Sequence, residues 1–219
     1  MNAYFVTLLD QALRALPSGA LHWPAQRLLC VSDLHLGKSD RIARRDGRML
    51  PPYETQATLA RLDADIAALD PAHVVCLGDS FDDLAGEASL DEGERLWITR
   101  LQAGRDWTWI EGNHDPGPLT LGGAHRAELR IETLVFRHIA QEGATGEVSG
   151  HYHPKCRLRG TGGGRPAFLM DAHRLILPAY GTYTGGLACT DPALQRLLAD
   201  PALAILTGPR AVPVPLPRP

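Results

Sequence analysis

Short apolar runs alternate along this chain with longer stretches of helical period. "RLLCVS" (27–32) and "HVVCLG" (73–78) are near-continuous apolar runs of strand length, the pattern of strands covered on both faces. "DWTWIEG" (106–112), "ELRIETLVFRH" (128–138), "EVSGH" (147–151), "AFLMD" (167–171) and "HRLILP" (173–178) read as further strands. Between the first two lies "ETQATLARLDADIAAL" (54–69), where Leu59, Leu62, Ile66 and Leu69 recur at three- and four-residue steps and predict an amphipathic helix. "LDEGERLWITRLQAG" (90–104) predicts a second, with Leu90, Trp97, Ile98 and Leu101 inward. The first half thus alternates strand and helix as a parallel α/β sheet does, while the second half has closely spaced strands and few helices. Two sheets packed face to face with helices outside accommodate both halves. "RGTGGGRP" (159–166) predicts a flexible hairpin tip. "PVPLPRP" (213–219) predicts a disordered proline-rich tail, leaving 1–212 as a single domain.

Composition narrows this picture. A chain of 219 residues, 44% of them hydrophobic, is long enough to bury a substantial core. The net charge of −3 and pI near 6.3 exclude an overall basic excess, so any nucleic-acid binding must be local. Cys30, Cys76, Cys156 and Cys189 show no C-x-x-C spacing and read as reduced, buried thiols. The N-terminal stretch has no basic n-region and no uninterrupted apolar segment, and no later stretch approaches a membrane span. The expectation is a soluble, cytoplasmic protein with no membrane partner.

Metal-competent side chains cluster where the strands end. "LLCVSDLHLGKSD" (28–40) leaves an apolar run on an Asp-x-His step, and "LGDSFDD" (77–83), "EGNHD" (111–115), "FRH" (136–138) and "SGHYH" (149–153) each place Asp, Asn or His at a strand exit. In an extended chain, side chains two apart point the same way, so Asp33 with His35, and His151 with His153, can each aim a pair at one point. Parallel strands collect such pairs at one edge, where open α/β sheets bind ligands. Gly78, Gly112 and Gly150 precede the ligands and allow close backbone approach. Carboxylate, amide oxygen and imidazole without thiolate favour octahedral Mn²⁺ or Fe²⁺, with Zn²⁺ as a further option, over a structural zinc tetrahedron. Seven such ligands exceed the needs of one ion. Two divalent ions roughly 3.5–4 Å apart fit better.

The ordered blocks D-x-H, G-D-x-x-D, G-N-H-D, H and G-H-x-H across residues 33 to 153 resemble the calcineurin-like metallophosphoesterase superfamily. The resemblance implies a four-layer αββα sandwich of two mixed β-sheets. It implies that Asp33, His35 and His153 hold one metal, that Asn113, His138 and His151 hold the second, and that Asp79 bridges both. His114 matches the histidine that donates a proton to the leaving oxygen or stabilises charge developing there, Asp115 would orient it, and Asp82 would stand behind the ligands. A narrower set, "DLHLGK" with a basic helix and an "LPP" turn, "SGHYHPK" and "LPAYGTYTGG" (177–186), is similar to the ligase-associated DNA damage response endonucleases of the PdeM family. That similarity implies a single-stranded or flexible DNA substrate. It also implies association with a DNA ligase, a helicase and an exonuclease.

The remaining polar segments have two readings each. "KSDRIARRDGR" (38–48) sets Lys38, Arg41, Arg44, Arg45 and Arg48 against Asp40 and Asp46, either as a solvated helix or as a phosphate track leading from the D-x-H block. Lys155, Arg157, Arg159 and Arg165 would form its opposite bank, and Arg137 beside His138 is a further substrate contact. Trp107 and Trp109 read as core, whereas Trp23 and Tyr152 are placed to stack a base. Asp63 and Asp65 read as the solvated face of the long helix. "YGTYTGG" lacks the Lys-Ser/Thr ending of a phosphate loop and reads as a tight connection near the site. The function these readings support is a dinuclear-metal phosphodiesterase, a DNA endonuclease in repair. The alternatives are a small-nucleotide phosphodiesterase or other phosphoesterase of the superfamily, and a catalytically silent module that binds DNA or a partner.

Overall fold

Three strands that the apolar pattern did not single out begin the chain: β1 (Tyr4–Leu8), β2 (Gln11–Ala15) and β3 (Leu21–Trp23). Leu9 and Asp10 join the first two with φ of 44° and 65°, the paired left-handed conformation of a two-residue hairpin turn. The structure is a computed structural model that describes residues 2–39, 53–82, 86–115, 120–157 and 162–218. Arg41, Arg44, Arg45, Arg48 and Arg159 lie outside the described residues, as does the "LPP" turn.

After β3 come β4 (Leu28–Val31), α1 (Glu54–Leu69), β5 (His73–Leu77), α2 (Gly86–Ser89), α3 (Glu92–Gln102), β6 (Asp106–Ile110) and β7 (Ala124–Arg126). Among the described residues β1 to β7 form one sheet in chain order, antiparallel as far as β4 and parallel from β4 to β7. Helix α1 has the bounds the periodicity predicts. Helix α3 is shorter than predicted because Asp91 caps it: the Asp91 side chain accepts from Glu94 N at 2.8 Å, and the Glu94 carboxylate accepts from Asp91 N at 3.1 Å.

The second sheet contains β8 (Glu128–Ile131), β9 (Leu134–Arg137), β10 (Glu147–Ser149), β12 (Arg165–Met170), β13 (Arg174–Ile176), β14 (Leu203–Leu206) and β15 (Val212–Pro215), with β11 (Lys155–Cys156) paired to β12. Its order is β15-β14-β12-β13-β10-β9-β8, with β9, β10 and β13 parallel. The single run predicted over 128–138 is therefore an antiparallel hairpin of two strands. A short helix, α4 (Pro192–Leu197), follows β13.

The tail is a correction to the disorder expected of it. Val212–Pro215 pairs with β14, and Leu216 N donates to Ala202 O at 2.9 Å. Prolines at 213, 215 and 217 alternate with residues whose N–H groups face the sheet, so the missing donors lie on the open side and no ladder bond is lost.

Three apolar clusters separate the layers. Trp23, Leu28, Leu77 and Ile110 of the first sheet meet Phe136, Val148, Phe168 and Leu175 of the second between the sheets. Leu59, Leu62 and Ile66 of α1, with Ile98 and Leu101 of α3, cover the outer face of the first sheet over Val31, Val74 and Trp109. Leu194 of α4 and Leu198 cover Leu169, Ile176 and Ala204 outside the second. The order helix, sheet, sheet, helix is the αββα sandwich. The tryptophan at position 23 is fully buried against Phe136 and cannot stack a base, so that expectation is withdrawn. Among the described residues no helix is long and apolar enough to cross a membrane.

Candidate metal centre

Strands β4, β5 and β6 run parallel, so the segments that leave their C-terminal ends emerge on one edge of the sheet. Those segments carry Asp33 and His35, Asp79, and Asn113 to Asp115. The ends of β9 and β10 in the second sheet supply His138, His151 and His153. Main-chain bonds knit these exits together: His35 N donates to Asp79 O at 3.0 Å and Gly150 N to His138 O at 3.0 Å. Tyr180 N and Gly181 N donate to Ser32 O and Asp33 O, so "YGTYTGG" is a tight connection clasped against the site.

The ligand-bearing backbone is not extended. Asp33, His35, Asp79, His151 and His153 have φ of 53°, 47°, 46°, 71° and 46°, a left-handed conformation uncommon outside glycine and least so for Asp, Asn and His. The rule that residues two apart share a direction holds in outcome for Asp33 and His35, which join one cluster, and fails for His151 and His153, which diverge. Asp33, His35 and His153 bring one donor atom each to within 4.8 Å of one another, and Asp79, His138 and His151 do the same. The two clusters abut, with His138 Nδ1 4.0 Å from Asp33 Oδ1. Close approach depends on missing side chains: a Cβ on Gly78 would lie 2.5 Å from the His138 ring, and one on Gly150 would strike Ser32 Oγ and Asp33.

In the first cluster His35 Nε2 lies 3.3 Å from His153 Nε2, and His153 Nε2 lies 3.0 Å from Asp33 Oδ1. Asp33 is fully buried, and its Oδ2 accepts from Ser32 Oγ and, at 3.0 Å, from His151 N. Oδ1 has no aligned hydrogen-bond donor among the described residues, a buried carboxylate oxygen left facing the cluster. His35 Nδ1 is 2.8 Å from Asp82 Oδ1, so a carboxylate stands behind the ring, and a proton on Nδ1 would leave the lone pair of Nε2 facing inward.

The second cluster has the same polarity. His138 Nδ1 is 2.9 Å from Leu77 O; a carbonyl only accepts, so Nδ1 carries the proton and Nε2 presents its lone pair. Around that lone pair stand Asn113 Oδ1 at 3.0 Å, His151 Nδ1 at 3.2 Å and Asp79 Oδ2 at 3.3 Å. Lone pairs converging from oxygen and nitrogen repel unless a cation or proton sits among them, so the donor set fits a divalent metal at each cluster. In the protein alone a proton takes that part: burial lowers the pKa of His138, but contact with Asp79 and the charges of Asp33 and Asp79 outweigh it and raise it to about 8. Burial raises Asp79, and the His138 contact overcomes this to hold it at about 2. Burial and the charge of His138 lower His151.

His114 lies at the rim, half-buried, with Nδ1 2.8 Å from Asp82 O and its main-chain N donating to Asp79 Oδ1 at 2.9 Å. The expectation that Asp115 orients His114 is corrected. The Asp115 carboxylate accepts main-chain N–H from Asp79, Ser80, Phe81 and Gly112 at 2.9, 2.7, 3.2 and 3.1 Å, so it braces the turns on either side of the site. The ring of His114 is fixed instead by the Asp82 carbonyl. Asp82 therefore stands behind both His35 and His114.

Three residues read as substrate contacts are engaged within the protein. Arg137 is buried, with Nη2 2.8 Å from Glu128 Oε2 and Nη1 3.5 Å from Glu147 Oε1. Lys155 Nζ donates to Thr184 O at 2.8 Å and anchors the 180–186 connection. Lys38 Nζ lies 3.7 Å from Asp82 Oδ1 with little of its side chain exposed. Arg165 of the proposed opposite bank donates to Thr207 O. Asp63 and Asp65 are likewise not a solvated face: Asp63 accepts from Trp97 Nε1 at 3.0 Å and Asp65 from the Tyr180 hydroxyl at 2.9 Å. Among the described residues, Ser32 is a site residue that the motifs miss: it precedes the D-x-H block without belonging to it and donates to Asp33.

Fold and site together define a metallophosphoesterase. The family model described as calcineurin-like phosphoesterase matches residues 26–183, and the chain belongs to that family. It is a metal-binding hydrolase of phosphoester bonds. Among solved structures, the crystal structure of the Pseudomonas putida nuclease MPE is similar at a TM-score of 0.80 and 30% sequence identity, over 97% of this chain and 100% of that one. The PdeM-like character of the motifs agrees with that likeness to a nuclease. No curated protein matches the chain.

Proposed function

We propose that this protein is a DNA endonuclease that hydrolyses phosphodiester bonds with two divalent ions. The observation that carries the reading is the pair of abutting donor clusters, each with lone pairs converging from carboxylate and imidazole, in a chain similar to a nuclease over nearly its whole length. Asp33, His35 and His153 would hold one ion, Asn113, His138 and His151 the other, and Asp79 would lie between them. Oxygen and imidazole donors without thiolate suit Mn²⁺ first, with Fe²⁺ and Zn²⁺ as alternatives. Two ions held by these residues would supply an activated water, with its pKa lowered towards about 7, and would offset charge building on phosphorus.

The protein's own groups do the rest. His114, fixed through Nδ1 by the Asp82 carbonyl, presents Nε2 and protonates the leaving oxygen. Asp115 keeps Asp79 and the His114 segment in register by accepting from both turns. A single-stranded or flexible DNA substrate, a role in repair, and association with a DNA ligase, a helicase and an exonuclease rest on the motif resemblance alone. A cytoplasmic setting is supported by four free, buried thiols.

The test strips metal with chelator, restores Mn²⁺, and offers closed-circular single-stranded DNA beside a small chromogenic phosphodiester, with His114→Ala as control. Cleavage of both substrates, lost in the variant while metal content is kept, is the expected result. An intact circle with turnover of the small diester moves the substrate to small nucleotides. Metal bound without turnover of either diester leaves a silent binding module.

A further inference from the structure

Two thiols outside the donor clusters face each other. Cys156 ends β11, Cys189 follows the bridge between Lys155 and Ala188, and their Sγ atoms lie 2.8 Å apart. The backbone enforces the approach: Lys155 N donates to Leu187 O and Cys189 N donates to Lys155 O, both at 2.8 Å. Neighbours across such a bridge sit roughly 4.8 Å apart. A disulfide accepts Cα separations of about 4.4–6.8 Å, so joining these sulfurs asks for side-chain rotation and no new fold. Cys30 and Cys76 form a natural contrast. They lie on the adjacent strands β4 and β5, but Cys30 faces the inter-sheet core and Cys76 faces the helices, so the sheet itself separates them.

The two thiols of the close pair are not equivalent. Both thiols are buried, Cys156 fully and Cys189 to 3% exposure, but Cys189 borders a cavity of about 350 Å³ together with Lys155, Arg157, Gly186, Thr190 and Pro217. Contact with Cys156 lowers the pKa of Cys189, while the same contact, together with burial, raises that of Cys156. The cavity borders Cys189 and not Cys156, which stands behind it.

We propose that Cys156 and Cys189 are a redox pair: a hydroperoxide entering the cavity oxidises Cys189, and Cys156 converts the product to a disulfide. In the first step the Cys189 sulfur attacks the terminal peroxide oxygen. An S–O bond forms, the O–O bond breaks, and the alkoxide leaves as alcohol with the proton from the thiol, giving a sulfenic acid. In the second step the Cys156 sulfur attacks that of Cys189. The S–S bond forms, the S–O bond breaks, and hydroxide leaves as water with the Cys156 proton. Two thiols lose two electrons and two protons, and the hydroperoxide becomes alcohol and water. The bond would staple Cys156 at the end of β11, three residues beyond His153, to the 187–189 segment. The inference does not depend on the identity of the phosphodiester substrate.

The test exposes the full chain to tert-butyl hydroperoxide, alkylates remaining thiols with N-ethylmaleimide in denaturant, and maps unreduced peptides by mass spectrometry. Two of the four thiols should disappear into one linked peptide carrying Cys156 and Cys189, with Cys30 and Cys76 still alkylated, and dithiothreitol should restore all four. Cys156→Ser should leave Cys189 as a sulfenic acid trapped by dimedone, and Cys189→Ser should leave Cys156 reduced. Four alkylatable thiols after treatment that oxidises free glutathione would overturn the proposal. So would oxidation of Cys30 or Cys76 ahead of the pair, and this mapping needs no variant to fold.

Discussion

The two donor clusters use similar ligands but are supported differently. Behind the first, the Nδ1 of His35 faces a carboxylate, Asp82, at 2.8 Å; behind the second, the Nδ1 of His138 faces a neutral carbonyl, Leu77, at 2.9 Å. The first also contains the fully buried carboxylate of Asp33, while the second opens through the exposed Asn113. A carboxylate partner raises the basicity of a ligating imidazole more than a carbonyl does, and burial limits competition from water. The difference teaches that the same residue types can be backed by unlike partners, and it predicts one tighter and one more exchangeable seat. The first cluster should fill at lower metal concentration.

Removing a ligand from each gives the largest effects. His35→Ala and His138→Ala should each lower diester turnover by more than about 100-fold, beyond the range seen for outer partners. Metal analysis should find close to one ion retained in His138→Ala and less in His35→Ala. Equal ion counts in the two variants would break the comparison. Next in size, Asp82→Asn should weaken the tighter site by roughly 10–100-fold in a Mn²⁺ titration while leaving the weaker one in place. Parallel weakening of both sites would show that Asp82 does not distinguish them.

pH separates the clusters more gently. His138, at about 8 in the metal-free protein, must lose its proton before its lone pair can hold an ion, so affinity at the second cluster should fall as pH drops below that value. The metal-free protein follows the opposite trend. A histidine raised from 6.5 to about 8 contributes stability that is fully present below pH 6.5 and is lost as pH rises through about 8. Thermal melts with and without Mn²⁺ between pH 6 and 9, a range of about three units around this group, should therefore diverge. Smallest of all, Ser32→Ala removes one donor to Asp33 and should cost about 1 kcal/mol of stability by denaturant melt, with little change at the second cluster.

Much of this arrangement was legible in the residues because it is local. Helix α1 shows its period in Leu59, Leu62 and Ile66, and strands β4, β5 and β6 are short apolar runs that end on polar chemistry. The seven candidate ligands were legible for the same reason, as each stands just beyond a strand. What could not be read depends on backbone angles or distant partners. The turn at Leu9 and Asp10 carries neither Asn nor Gly, so its hairpin left no sign. His151 and His153 part company although Asp33 and His35, equally left-handed, share one cluster, so the difference lies in the path of each loop and not in the sign of φ. Asp115 looked like a partner for its neighbour His114, but the amides it accepts include three that lie 34 to 36 residues away in the chain. Arg137 looked free for substrate because its carboxylate partners, Glu128 and Glu147, come from other strands.

The prolines of β15 have a consequence for the molecule in company. An unprotected last strand offers its outward amides to any extended chain that drifts alongside, a common beginning of aggregation. At 213 and 215 there is no amide hydrogen to offer, so this margin of the second sheet resists growth by another strand. The segment that looked too proline-rich to fold serves, once folded, as the sheet's selvedge.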